Sequence, residues 1–535
     1  MRSAFWDYAA LLTGRATSIA LLAAVMVLIT RLLGPAGYGK FAIYLTIGQL
    51  FFLLAVSWSA SGVVRYGREE FIKTGGIART FWARNCFLIL FLALSTIVIY
   101  GLWGRLLDGL GLSTWLAHAL PWDNEGILDF LRPGGITRYI GIDELTAVLL
   151  VVTVVTLAAE DYTSRVLQST NHIQFFGFSA TIAHTVTVGL LVVVLVVRPS
   201  QVTFFVILSY IAGRWAATVV GFWRTGLPRF LPVRIDPAYV RLIWLFSYPL
   251  ILGSACTYLI SWAPLMVVKG YLSEAEVGNY GVAQQGLNVL RQIPLTLTAL
   301  AVPMVLTFRV EGHDSFSRRF IETVIPGAAF LWSLGLVPVA FAARYVIPLL
   351  FSHQYVDAIL PFKVLCISLA FSGFNALYAA IYLNYDIVRQ STVVSVILAV
   401  LNIFGAILLV GRFGLSGVAW AGSAAFALSA FLNLFICQRR MGVRHFWHVL
   451  LAFPVVAYVL VAVFMRSAVA DAAGFILVML GSVLVARAFR LFKARDLELF
   501  QEVHMPAPAR RLLLWAYRLL GAGTLGDEPK NETLT

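Results

Sequence analysis

Three arginines stand among apolar neighbours. Arg15 is followed by fifteen uncharged residues before Arg31, Arg214 lies between Arg198 and Arg224, and Arg291 falls eleven residues beyond Tyr280 and eighteen before Arg309. An arginine at the centre of a bilayer costs about 2.5–3.5 kcal/mol even on the lenient insertion scale, so such a residue faces a cavity or a partner. No Asp or Glu is expected at comparable depth. Glu160 and Asp161 sit near the inner end of their apolar run, and Asp386 sits at the inner end of another. A cationic centre without resident counter-charge suits an anionic substrate. Guanidinium is always charged and binds phosphate through two parallel hydrogen bonds.

Gln284, Asn288 and Arg291 are spaced i, i+4, i+7 and so share one helix face, with Gln285 beside it. Pro294 and Pro303 follow and should interrupt the hydrogen-bond ladder. This reads as a cavity-lining stripe, so Arg15, Arg214, Arg291, Gln284 and Asn288 are the candidate substrate-binding residues. The plainer alternative is a polar contact between helices. A second broken segment carries Tyr248, Pro249, Ser254, Thr257, Ser261 and Pro264, whose hydroxyls either line a cavity or bond back to their own helix. Glu160, Asp161 and His184 are the candidates for ion coupling. Asp161 can also pair with Arg165 at i+4, and the plainer reading of His184 is a neutral, hydrogen-bonded histidine. No catalytic group and no metal spacing stands out. Cys86, Cys256, Cys366 and Cys437 are far apart and read as packing residues. The segment 34–41, GPAGYGKF, has the spacing of a P-loop, but Phe41 replaces the required Ser or Thr and no strand precedes it. No nucleotide and no other cofactor is therefore expected.

The elements that must position these groups follow from composition. Of 535 residues, 60% are hydrophobic and 12% charged, and the mean hydropathy is +0.85. Soluble domains carry about 25% charged residues, so the solvent is lipid. Apolar runs near 9–30, 42–63, 86–106, 143–165, 174–197, 202–223, 242–268, 280–308, 321–342, 361–383, 391–411, 416–437, 448–466 and 472–489 are each long enough to span. Each must be helical, because the bilayer offers the backbone no water. With the N-terminus inside, 26 basic residues fall on the inner side against 11 outside. That bias supports cytoplasmic N- and C-termini and an even number of crossings. Lys363 is counted with the outer loops, and Arg84 with the inner ones. The net charge of +14 is thereby explained by topology rather than by nucleic acid.

An internal repeat organises the chain. At an offset of 239 residues, LLGPAGYGKF (32–41) falls on YLSEAEVGNY (271–280), with Leu33 on Leu272, Ala36 on Ala275, Gly39 on Gly278 and Phe41 on Tyr280; upstream, Gly14 falls on Gly253. The expected fold is an all-α, polytopic membrane protein of about 14 transmembrane helices: two six-helix lobes plus two C-terminal helices. The lobes are 1–230 (helices 1–6) and 231–440 (helices 7–12), the extra helices occupy 441–490, and 491–535 is a cytoplasmic amphipathic tail containing ARRLLLWAYRLL (509–520). Paired lobes place a substrate site at their interface near mid-membrane. The long loop 105–142 reads as an outer surface loop.

ITRLLGPAGYGKFA (29–42) resembles the loop after helix 1 of polysaccharide flippases in the multidrug/oligosaccharidyl-lipid/polysaccharide exporter superfamily. YLSEAEVGNYGVA (271–283), VIPLLFSHQYVDAILPFKVL (346–365) and FGLSGVAWA (413–421) resemble later segments of that family in the right order, although Ser352 and His353 stand where Gly is usual. The resemblance implies translocation of a polyprenyl-pyrophosphate-linked oligosaccharide from the cytoplasmic to the outer leaflet, as in O-antigen and other surface-polysaccharide biosynthesis. It implies cationic residues on helices 1 and 8, which Arg15 and Arg291 match; Arg214 is added from its depth alone. It further implies residence in the cell's inner (plasma) membrane, a lipid-linked glycan as substrate, and other polysaccharide-assembly membrane proteins as partners, without nucleic acid and without enzymatic chemistry. Two alternatives stand beside it. A drug or cation antiporter of the same superfamily would need buried carboxylates. A membrane glycan polymerase or ligase would need catalytic groups in loop 105–142.

Overall fold

The computed structural model describes residues 2–97, 144–170, 172–310, 325–384, 388–441, 450–465 and 467–488. Loop 105–142, Asp386 and the tail 491–535 lie outside the described residues. Within them there are α-helices, short 3₁₀ turns and no strand. In chain order the helices are α1 (Arg2–Ala55), α2 (Ala60–Thr74), α3 (Ala78–Ile97), α4 (Glu144–Ser169), α5 (Ile173–Val197), α6 (Val202–Thr225), α7 (Pro237–Ser247), α8 (Leu250–Ser261), α9 (Ala263–Tyr271), α10 (Glu274–Val310), α11 (Ile325–Phe351), α12 (Ile359–Asn384), α13 (Val388–Met441), α14 (Phe453–Phe464) and α15 (Ala468–Ala488). Among the described residues, eight helical stretches are long and apolar enough to cross a membrane. Their outer faces carry large apolar side chains in the open, such as Val193, Val196 and Val197 on α5 and Leu477, Leu480 and Leu484 on α15. Water would not tolerate such stripes, whereas lipid solvates them. The chain is an all-α, multi-pass membrane protein.

Two of these stretches, Thr13–Ala55 and Arg389–Arg439, are 43 and 51 residues long. A straight helix of that length would extend about 65 Å or more, roughly twice the hydrocarbon core. Each is broken once by a glycine. Gly34 sits at φ 66° in α1 with Pro35 behind it, and Gly414 sits at φ 56° in α13. Side chains with a Cβ rarely adopt such angles. Sequence reading placed loops at 31–41 and 412–415; helix instead continues to the glycine on both sides. The P-loop-like segment is thus helical after Gly34, and Phe41 is buried. The segment 242–268 is broken as its prolines predict, at Pro249 between α7 and α8 and near Pro264 between α8 and α9. The expectation for Pro294 and Pro303 is corrected: α10 is assigned as one helix through both, because losing a single backbone donor need not end a helix in a bilayer.

The chain divides into two compact units. The first comprises residues 1–289, 347–358 and 399–421; the second comprises 290–346, 359–398 and 422–535. In the first unit the two copies of the internal repeat pack directly on each other. A Cβ added at Gly39 would lie 2.1 Å from the Glu274 carbonyl oxygen, and one at Gly278 would lie 2.0 Å from that of Pro35. Backbones this close admit only glycine, so the matched pair found in sequence is a helix crossing. The equivalence of Gly14 and Gly253 does not extend to packing: Gly14 abuts the Gly177 carbonyl, while nothing lies within 4 Å of a Cβ at Gly253. Arg31 donates to the Leu349 and Leu350 carbonyls, both at 2.7 Å, satisfying orphan acceptors at the end of α11. All four cysteines are free thiols, as expected from their spacing.

Candidate functional site

The C-terminal half of α4 is where charge concentrates. Glu160 is ion-paired with Arg214 of α6, whose guanidinium also lies 4.3 Å from the Tyr210 ring centre. Asp161 accepts from Arg84 of α3 at 2.6 Å and from Arg165, one turn on, at 3.1 Å. Arg84 is fully buried, donates also to Ser59 at 3.1 Å, and lies over Tyr162. Two sequence expectations are corrected here. Arg214 is not a cation without a resident partner, because α4 and α6 pack so that Glu160 reaches it. Arg84 is not a loop residue but a buried member of α3. The i, i+4 pair of Asp161 with Arg165 forms as its spacing predicts. Glu160 and Asp161 are therefore brought together with three arginines. His184, half-buried on α5, lies within the field of Arg214.

The remaining candidates lie on α1 and α10. Arg15 is exposed on α1, with its guanidinium 5.6 Å from the centre of the Phe176 ring of α5 and no carboxylate partner among the described residues. Arg291 is half-buried and lies 5.5 Å from the Phe426 ring centre of α13, within the second unit. Gln284 and Asn288 belong to the first unit. Gln284 is buried and donates to the Ser261 carbonyl at 3.2 Å, and Asn402 of α13 donates to Ile260 at 3.2 Å. Both carbonyls end α8, where the Trp262 break leaves acceptors without helical donors. Gln284 thus serves the helix-to-helix contact that its sequence also allowed, and it borders a small cavity with Gln285 and Tyr38. Asn288 is half-buried on the same helix. Ser254 and Thr257 border a second cavity of about 150 Å³ with Gln49, Ser57 and Trp262, while Thr257 bonds back to Gly253 at 2.9 Å. Its hydroxyl serves both roles foreseen for it.

Sequence reading missed two charged centres. Lys363 was expected on an outer loop, yet it is buried in α12 and pairs with Asp471 of α15 at 2.8 Å. Tyr458 of α14 donates to the same carboxylate at 2.8 Å, and Arg344 of α11 stands 3.7 Å away. The signal was present: Lys363 stands alone between apolar residues, and a lone cation there needs a partner. Glu70 of α2 is also buried and accepts from the Arg79 and Thr80 backbone amides at 2.9 Å and from the Thr80 hydroxyl at 2.7 Å, capping α3 from a neighbouring helix. Among the described residues no cluster has the makings of a metal site.

No family model matches the sequence, and no curated protein matches it. Solved structures do. The chain is similar to the lipid II flippase MurJ in an inward closed conformation, with TM-score 0.58 at 14% identity, covering 90% of this chain and 98% of that one. It is similar to an inward-facing multidrug resistance MATE transporter of the MOP superfamily, with TM-score 0.56 at 14% identity over 79% of this chain and 94% of that one. A eukaryotic MATE transporter gives TM-score 0.52 at 17% identity over 84% and 98%. At these identities the likeness defines the fold: this chain has the fold shared by MurJ and the MATE transporters.

Proposed function

We propose that the chain is a flippase that moves a polyprenyl-pyrophosphate-linked oligosaccharide from the cytoplasmic to the outer leaflet by alternating access of two lobes, 1–230 and 231–440. The observation that carries the reading is the state of the carboxylates. Glu160, Asp161 and Asp471 are each engaged by basic side chains, and buried Glu70 is engaged by the Arg79 and Thr80 amides and the Thr80 hydroxyl. Arg15, by contrast, is an exposed guanidinium on an apolar helix with the Phe176 ring beside it and no carboxylate partner among the described residues. An antiporter for cations needs a carboxylate to spare, whereas a diphosphate needs guanidinium. The fold likeness to a protein described as a lipid II flippase supports the same direction. On this reading Arg15 and Arg291 bind the diphosphate, Gln284 and Asn288 border the path, and the glycan is shielded from lipid. The isoprenoid tail stays in the bilayer. An ion gradient would act through Glu160, Asp161 or His184 only by opening the pairs that now hold the two carboxylates, Arg214 with Glu160 and Arg84 with Asp161.

The test is surface glycan in a cell whose own copy is deleted. Arg291→Ala is expected to insert and fold but to restore little glycan. Arg291→Lys should restore an intermediate amount, since a point charge lacks the two-pronged geometry. Full glycan from Arg291→Ala refutes the assigned role.

A further inference from the structure

We propose that the paired connections α2–α3 and α6–α7 build a second anion site, one that takes a phosphoryl group on the face which the charge bias assigns to the cytoplasm. A cavity of about 430 Å³ lies there, bordered by Glu70, Gly76, Arg79, Arg229, Pro232 and Arg234. All of these residues belong to the first compact unit. The two connections are stitched together before any ligand arrives: the Ile77 amide donates to the Arg229 carbonyl at 2.9 Å, and the Trp82 indole donates to Phe230 at 3.0 Å. The three arginines are therefore carried by a prebuilt frame.

The acids around the cavity are spent on the frame itself. Glu70 has its carboxylate occupied by three donors at the start of α3. Asp236 caps α7 by accepting from the Ala238 amide at 3.0 Å and stands 3.9 Å from Arg79. Arg229 and Arg234 make no ion pair among the described residues. Arg229 lies 5.3 Å from the Phe71 ring centre, and its Nη1 is buried without a hydrogen-bond partner. His172, on the turn before α5, reports the resulting field. Its affinity for a proton is held below the ordinary histidine value by burial and by Arg229 and Arg224. Arg229 and Arg234, without ion pairs among the described residues and bordering a cavity, match a phosphoryl group, which offers three acceptor oxygens and charge above one. A phosphate ester in solution and an anionic lipid headgroup share that chemistry. The site differs in residues from the proposed cargo site, and it is tested by binding rather than by transport.

The experiment uses the full chain in nanodiscs of phosphatidylcholine, titrated with inorganic pyrophosphate, and the same chain purified from membranes containing phosphatidylglycerol and examined by native mass spectrometry. The variants are Arg229→Gln, Arg234→Gln and, as a distant surface control, Arg412→Gln. Losing one charge-assisted contact should weaken binding by about 10- to 100-fold. Pyrophosphate binding that falls in this range in Arg229→Gln and Arg234→Gln but not in Arg412→Gln supports a soluble phosphoryl ligand. Retained phosphatidylglycerol that is lost in the same two variants supports a headgroup. If Arg229→Gln does not fold, exposed Arg234 and the charge-keeping Arg229→Lys carry the comparison. Equal binding by wild type, Arg234→Gln and Arg412→Gln in both arms overturns the site.

Discussion

At the scale of single residues, the partner of each charge decides what it is available to do. Arg214 and Glu160 neutralise each other beside Tyr210, so neither is available to a ligand without breaking the pair. Arg214→Ala leaves a largely buried carboxylate alone and should destabilise the protein by about 3 kcal/mol or more, whereas the double change Arg214→Gln with Glu160→Gln should recover most of that loss. Thermal unfolding of the detergent-solubilised variants reads both. Equal melting of the single and double variants would contradict the pairing. His172 offers a titration test. Removing the positive charge at Arg229 takes away one of the causes that lower its proton affinity, so Arg229→Gln should raise its midpoint toward the ordinary value near 6.5. NMR titration of the imidazole checks the sign. Arg15 differs from Arg214 because no carboxylate pairs with it among the described residues; the Phe176 ring beside it stabilises a cation without neutralising it.

At the scale of elements, close backbone approach and buried ion pairs fasten the helices. Gly39→Ala or Gly278→Ala drives a methyl group into a backbone carbonyl and should sharply reduce folded yield. Gly253→Ala meets nothing within 4 Å and should be neutral or slightly stabilising, by about 0.5–1 kcal/mol. Size-exclusion profiles of the three variants separate the two expectations. The centre of Lys363, Asp471 and Tyr458 ties α12, α14 and α15 together. Asp471→Asn should cost about 3–5 kcal/mol, because it leaves a buried ammonium without its counter-charge. These elements also show which parts of the fold could be read in advance. The apolar runs were legible because lipid permits only one backbone solution, and the repeat exposed Gly39 and Gly278 because close packing leaves glycine as its mark. The breaks at Pro249 and Pro264 were legible because proline lacks the helical donor, and the pair of Asp161 and Arg165 because i and i+4 share a helix face. The pairings of Arg214 with Glu160, of Arg84 with Asp161 and of Lys363 with Asp471 were not. They join residues 54, 77 and 108 positions apart, and periodicity within one helix says nothing about which face of another helix meets it.

At the scale of the whole molecule, an all-α membrane protein with the fold shared by MurJ and MATE transporters combines an exposed guanidinium on α1 with carboxylates already held by bases. That balance of charge is what the proposed anionic cargo rests on. If Glu160 or Asp161 couples transport to a gradient, collapsing the proton or sodium gradient separately should slow transport, and the Glu160→Gln variant should lose that dependence. The central claim is met most directly by reconstitution. The purified chain is placed in liposomes with a polyprenyl-diphosphate oligosaccharide confined to one leaflet, and the glycan reaching the other leaflet is followed with a membrane-impermeant lectin. The account predicts movement well above protein-free vesicles that is largely lost in Arg15→Ala and Arg291→Ala. Movement no faster than in protein-free vesicles, or equally fast in both variants, contradicts it.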